Sequence, residues 1–220
     1  MIGQFSWDWA FAFSIMPDLF SGLKLTVIAT LFGSMIAVVF GLVLCIVRVA
    51  RLPVLSMIAD LFIQLVRGTP FLIQLFFLFY IAPQWGLSFS AFATGICALG
   101  IYYSAYAAEV YRAGLDDVPT GQWEAALTLG LPLPRVWLGI ILPQAIFAVL
   151  PVMGNMVITM FKETALLSTI TIMELLAQGK SIGSIQFRYI EPLTLVGVLY
   201  FTVSYTAAKT IRKLESRHAA

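Results

Sequence analysis

Apolar residues run through this chain in long unbroken blocks, and polar residues collect in the gaps between them. Four stretches contain no Asp, Glu, Lys or Arg: 25–47, 68–108, 136–161 and 192–208. About 20 apolar residues cross a hydrocarbon core of ~30 Å, and an ionised side chain inside it is costly, so each block can cross a membrane. The second block is too long for one crossing, and Pro83-Gln84-Trp85-Gly86 supplies the turn that divides it. The pattern predicts an all-α integral membrane protein with five transmembrane helices. Their approximate bounds are 23–47, 55–82, 87–110, 137–161 and 189–209, in one transmembrane domain over residues 1–220.

The second predicted span is flawed. Asp60, Gln64, Arg67 and Pro70 interrupt it, and 71–82 alone is too short to cross, so a broken or laterally running helix is expected. A packing kink and a pathway-lining role are both open for that break. Two insertions lie outside the spans, 113–135 and 163–188. The second holds an uncharged run, 165–173, too short to span and therefore re-entrant or interfacial.

Composition excludes a soluble fold. Of 220 residues 60% are apolar and 11% charged, and mean hydropathy is +0.95, where soluble domains have roughly half and a quarter. The net charge of +2 is small and spread, which indicates neither nucleic acid nor a polybasic lipid-binding tail as partner. Cys45 and Cys97 lie in apolar runs without metal or redox spacing and read as small hydrophobes. Asp8 and Asp18 stand where a leader would be basic, so no cleavable leader is expected.

Charge also orients the chain, because short cytoplasmic loops collect Lys and Arg. With the N-terminus outside and the C-terminus cytoplasmic, Arg48, Arg51, Arg112, Arg135, Lys209, Arg212, Lys213 and Arg217 fall inside. Lys24, Lys162, Lys180 and Arg188 fall outside or near it, and Arg67 is left unassigned. The 113–135 insertion is then cytoplasmic. Within it Pro119 and Thr120 supply a helix start, and Gly130 with Pro132 a stop. Trp123, Ala126, Leu127 and Gly130 share one face at helical spacing, and the small Ala125 and Ala126 let a partner surface approach closely.

Glu124-Ala125-Ala126, then Gly130, then Ile140-Ile141-Leu142-Pro143 resembles the EAA motif of permease subunits in binding-protein-dependent ATP-binding-cassette importers. The likeness extends over most of the chain. RGTPFLIQLFF from Arg67, SAYAAEVYRAG from Ser104, GQWEAA from Gly121, LPQA from Leu142 and KETALLS from Lys162 are similar to the polar amino-acid permease branch. MFKETALLSTITIMELLAQGKSIG followed by FRYIEPLTLVGV looks like the permease subunits of ectoine and hydroxyectoine importers. The branch more often has an aspartate followed by Thr-Ser-Leu where this chain has Glu163-Thr164-Ala165-Leu166, which weakens the case for a proteinogenic amino acid as cargo.

The resemblance implies a type I importer permease fold in a bacterial inner membrane. It makes Gly121, Gln122, Glu124, Ala125, Ala126 and Gly130 the coupling helix that docks on a partner ATPase, which binds ATP and Mg. It also implies a second permease subunit, identical or similar, and an extracytoplasmic solute-binding protein, with lipid around the spans.

Candidate cargo contacts come from polar groups at membrane depth. Lys162 and Glu163 are adjacent, hence about 100° apart on a helix, and each needs a different partner. A zwitterion offers both, with Thr164 and Asn155 as hydrogen-bonding groups; helix-end capping and interhelical pairing are the alternatives. Phe71, Gln74 and Phe77 form a face that either packs or offers an amide and rings to a cation-bearing solute. Glu109 and Arg112 are spaced for a local ion pair.

Gly179-Lys180-Ser181 is not a phosphate loop, because Glu174 stands where that pattern needs glycine. With His218 the sole histidine and no clustered carboxylates, neither a metal site nor catalytic residues are expected, and the chain itself needs no cofactor. A secondary transporter or channel for small polar solutes is the rival reading. Five spans without paired inverted halves argue against it.

Overall fold

The computed structural model describes residues 6–218, with side chains as far as 213. The side chains of Arg217 and His218 lie outside the described residues. Every regular element among them is helical. Four helices are long and apolar enough to cross a membrane, and a sharply bent pair makes a fifth candidate.

A short helix, α1 (Trp9–Ser14), is capped by the Asp8 carboxylate, which accepts from the Phe11 amide at 3.0 Å. That amide and the Arg188 guanidinium hold Asp8 below the usual carboxylate range. Helix α2 (Met16–Val49) follows, starting earlier than the expected 23 because a helix need not stop at the hydrocarbon boundary. Its 34 residues give a length of about 51 Å, well beyond the bilayer core.

Helix α3 (Pro53–Gly68) ends at Thr69 and Pro70, both extended, and α4 (Phe71–Phe76) leaves at 107° to it. The residue before a proline is pushed out of the helical region, which breaks the span where the sequence placed its flaw. The second limb continues through a π turn (Phe77–Ile81) and a 3-10 turn (Ala82–Trp85) to Gly86, whose φ of 84° suits glycine.

Helix α5 (Ala91–Asp116) is the centre of the molecule. It packs closely on α2 because both present small residues at four-residue spacing: Gly33, Ala37 and Gly41 on one, Gly100, Ser104 and Ala108 on the other. Without a hydrophobic drive between helices in lipid, such close approach is what holds them. A Cβ added at Gly41 would lie 2.6 Å from Ala107 Cβ and 2.8 Å from the Ser104 carbonyl oxygen.

Helix α6 (Thr120–Thr128) lies beyond the end of α5, and α7 (Leu133–Val136) leads through a second π turn (Trp137–Ile141) into α8 (Leu142–Glu163). The 165–173 stretch folds into a 3-10 turn (Thr164–Ile170) that buries Leu167, Ile170 and Ile172 in the main core. Helix α9 (Leu175–Gln186) is capped by the fully buried Glu174, which accepts from the Leu176 and Ala177 amides and from the Tyr200 hydroxyl. Helix α10 (Ile190–His218) closes the chain. Arg188 pairs with Asp8 and Glu191 and so ties α1 to the start of α10.

Candidate functional site

Helices α5 and α8 run antiparallel with a gap between them along part of their length. Gly114 touches Val149 and the Ala145 carbonyl oxygen near one end. Beside that contact the two helices and the end of α3 line an open cavity of about 810 Å³, of the size that takes small-molecule ligands. Tyr102, Tyr103, Tyr106, Glu109 and Gly114 come from α5, Asp117 from the residue just past it, Val149, Val152, Asn155, Met156, Thr159 and Glu163 from α8, and Arg67 from α3. By sequence position the wall runs from Tyr102, midway along α5, to Asp117 just past its charged end.

Two of the six residues predicted to meet cargo line this cavity. Asn155 lines it as an exposed residue of α8. Glu163 is half-buried, and its Oε2 is fully enclosed without a hydrogen-bond partner. Water cannot reach that oxygen, and the Tyr103 side chain lies against the same carboxylate, so what Glu163 brings to the cavity is its charge. Tyr102, Tyr103 and Tyr106 surround the same space with mutual ring contacts of 5.2–6.0 Å, a lining suited to a cationic group.

The other four lie outside the lining of the cavity. Lys162 is exposed, outside the cavity, as its 100° offset from Glu163 dictates. Thr164 is buried and donates to the Phe161 carbonyl oxygen at 2.6 Å. Gln74 donates through Nε2 to the Val66 oxygen at 2.7 Å, the Thr69 carbonyl at 3.1 Å and the Thr69 hydroxyl at 2.7 Å. Its amide therefore satisfies the carbonyls freed by the break. Phe77 is exposed and packs edge-on against Trp85.

Glu109 and Arg112 do pair, at 3.2 Å, but within a larger cluster that spacing could not reveal. Glu109 also binds Arg48 at 3.0 Å and Arg67 at 3.2 Å, Arg48 binds Asp60 at 2.6 Å, and Arg112 binds Asp116 at 3.0 Å. Three guanidiniums and three carboxylates from α2, α3 and α5 thus compensate one another. The long sequence separations hide this arrangement; only the collection of charges at one end of the spans hinted at it.

The α6 segment forms a separate feature. Its end is a Schellman motif: Leu131 N donates to the Ala126 oxygen and Gly130 N to the Leu127 oxygen, with Gly130 at φ 65°. Ala126 is buried and Trp123 packs edge-on against Trp137 at 5.1 Å, joining Val118, Val136, Ile141 and Ala145 in one apolar cluster. Leu127 was expected on the same face but is 61% exposed, because the cluster is narrow and one helix position away. Gly121, Gln122, Glu124, Ala125 and Gly130 are exposed around this short helix.

Among the described residues no group of His, Cys, Asp and Glu could hold a metal ion. A family model described as binding-protein-dependent transport system inner membrane component matches residues 33–218. The probable amino-acid ABC transporter permease protein y4tG of Sinorhizobium fredii (strain NBRC 101917 / NGR234) is 42% identical over 217 residues, 96% of this chain and 94% of that one. The octopine transport system permease protein OccM of Rhizobium radiobacter is 34% identical over 217 residues, covering 94% and 89%. A chain from the crystal structure of an amino acid ABC transporter with histidines superposes with a TM-score of 0.92 at 35% identity, covering 97% of this chain and 100% of that one.

Proposed function

This chain belongs to the binding-protein-dependent transport system inner membrane components, and from that premise we propose that it carries a polar amino acid or an amino-acid-like compatible solute through the α5–α8 cavity. As a permease subunit of an ABC importer in the inner membrane, it leaves ATP to a partner ATPase. The cargo's cationic group, an ammonium or an amidinium, is drawn to the carboxylate of Glu163, and Asn155 offers hydrogen bonds in the same cavity. A carboxylate set among three tyrosines in the wall of the cavity carries this reading. The permease names of the relatives support amino-acid-sized cargo, and the sequence pattern around Glu163 supports ectoine within that class.

Coupling runs through α6. Its exposed Gly121, Gln122, Glu124, Ala125 and Gly130 dock on the ATPase, and buried Ala126 anchors the helix to the cluster that includes Ala145 of α8. A push on α6 therefore moves the helix that bears Asn155 and Glu163, so that the cavity opens alternately to each side. A second permease subunit covers the open mouth of the cavity, and a solute-binding protein delivers cargo from outside.

The test is equilibrium binding of labelled L-arginine, L-glutamine and ectoine to the purified permease–ATPase complex without binding protein. Glu163→Gln is expected to weaken the retained solute by about tenfold or more, the value of a charged hydrogen bond. Unchanged affinity in that variant would remove Glu163 from the pathway.

A further inference from the structure

We propose that Arg67 is a second, carboxylate-binding subsite at the opposite end of the same cavity, a residue that selects for cargo with a free acid. The inference rests on the cavity reading above and adds the recognition of the other charge of the solute.

Within the ion cluster Arg67 has a distinct position. Arg48 has a second carboxylate in Asp60 and Arg112 has one in Asp116, whereas Glu109 is the only carboxylate Arg67 meets among the described residues. Glu109 keeps Arg48 and Arg112 if Arg67 turns away, so its release leaves no orphaned carboxylate. Five N–H donors fork from a guanidinium, and a single ion pair leaves several for a carboxylate in bidentate geometry. The side chain lines the cavity and is 44% exposed, and its guanidinium carbon lies 5.5 Å from the Tyr106 ring centroid. The aromatic face steadies the group without using its donors.

The spacing fits a solute that carries its cation at the end of a long side chain, away from its carboxylate. Taking Gly114 and Val149 as level, Glu163 stands fourteen residues beyond that contact on α8 and Glu109 five on α5. At a rise of 1.5 Å per residue the two backbone levels differ by roughly 13 Å. Glutamate and arginine side chains reaching into this interval leave a gap comparable to an amino acid with an extended side chain. A long cationic solute would touch both ends together, and a shorter one would pass from Glu163 to Arg67 on its way out.

The experiment uses the permease–ATPase complex in detergent with labelled L-arginine, L-glutamine and ectoine, each compared with its own carboxamide. Wild-type complex is expected to prefer the acid of whichever probe it retains. Arg67→Gln should weaken the acid about ten- to a hundredfold, the range of charged hydrogen bonds, and leave the amide unchanged, so that the two bind alike. Arg67→Lys should recover part of the preference. Asp60→Asn, which loosens the ion cluster without touching the cavity, should keep it. Equal binding of acid and amide to the wild type would overturn the proposal, as would Arg67→Gln lowering both equally. If Arg67→Gln has no effect while Glu163→Gln abolishes binding, the cavity reading stands and the Arg67 subsite falls. If no probe binds the wild type, both fall.

Discussion

Gly41 has only hydrogen where any other residue would press a carbon into the backbone of α5. A Cβ there meets the Ser104 carbonyl oxygen at 2.8 Å and the Ala108 nitrogen at 3.1 Å, atoms that cannot rotate aside. Gly41→Ala should therefore cost about 1–3 kcal/mol, the usual penalty of overpacking. Thermal unfolding in detergent measures it. Gly197, whose surroundings are open, is the control: Gly197→Ala should be neutral or slightly stabilising through helix propensity. Glu163 was legible at this scale because adjacency on a helix separates side chains by a fixed angle, and Lys162 and Glu163 do part as that angle requires. Gln74 was not legible, since an amide aimed along a face gives no sign that it will turn back to cap its own helix break.

Breaks and turns govern the elements. The interruption between α3 and α4 announced itself through Pro70 and through charges in an apolar run, but its 107° angle did not, because the angle depends on what the freed carbonyls find. They find Gln74. Gln74→Leu leaves the Val66 and Thr69 carbonyls without their donor and should destabilise the protein by about 1–3 kcal/mol, the cost of buried polar groups left unpaired. Hydrogen exchange read at 66–74 should rise more than elsewhere; uniform protection would show that the bend holds without the amide. The α6 helix was legible nearly to the residue, because Pro119 and Gly130 act through backbone geometry alone. Its buried face was not, since Trp137 and Val136, which receive it, lie in a different turn of chain. The two π turns left no sequence signature at all: each is a single wide turn inside a longer helical run, with i→i+5 bonds that side-chain periodicity does not mark.

At the scale of the whole molecule, α8 shows far more apolar surface than α5. Ile146, Phe147, Leu150 and Val152 are half or more exposed or nearly so beside the mouth of the cavity, while α5 is largely enclosed. If a second permease subunit covers that mouth, a cysteine at Leu150 lies close to its counterpart. In a Cys45→Ala, Cys97→Ala background, Leu150→Cys should form a cross-linked dimer with a short bifunctional thiol reagent. Leu31→Cys, on the outward face of α2, should not. Equal cross-linking at both sites would place the dimer contact elsewhere. The hydropathy pattern found the spans, but a groove between two of them is invisible to it, because wall and lipid face are equally apolar.

The π turn at Trp137–Ile141 adds one residue to the count between α6 and the cavity. A π turn closes on i+5 where an α turn closes on i+4, so the extra residue is absorbed in one wide turn and the helix after it keeps its phase. Deleting Gly139, which has open space around it, should convert the turn to ordinary helix with Asn155 and Glu163 still on the cavity, whereas deleting Leu138 and Gly139 together leaves no bulge to absorb the loss and should swing both about 100° off it. The expected result of the double deletion is a chain that still inserts and joins its ATPase but no longer retains solute, measured by the same binding assay. Retained binding would mean that the helix rewinds elsewhere. The cavity's chemistry is thus keyed to a count as well as to composition: the same side chains, one step out of phase, would face lipid.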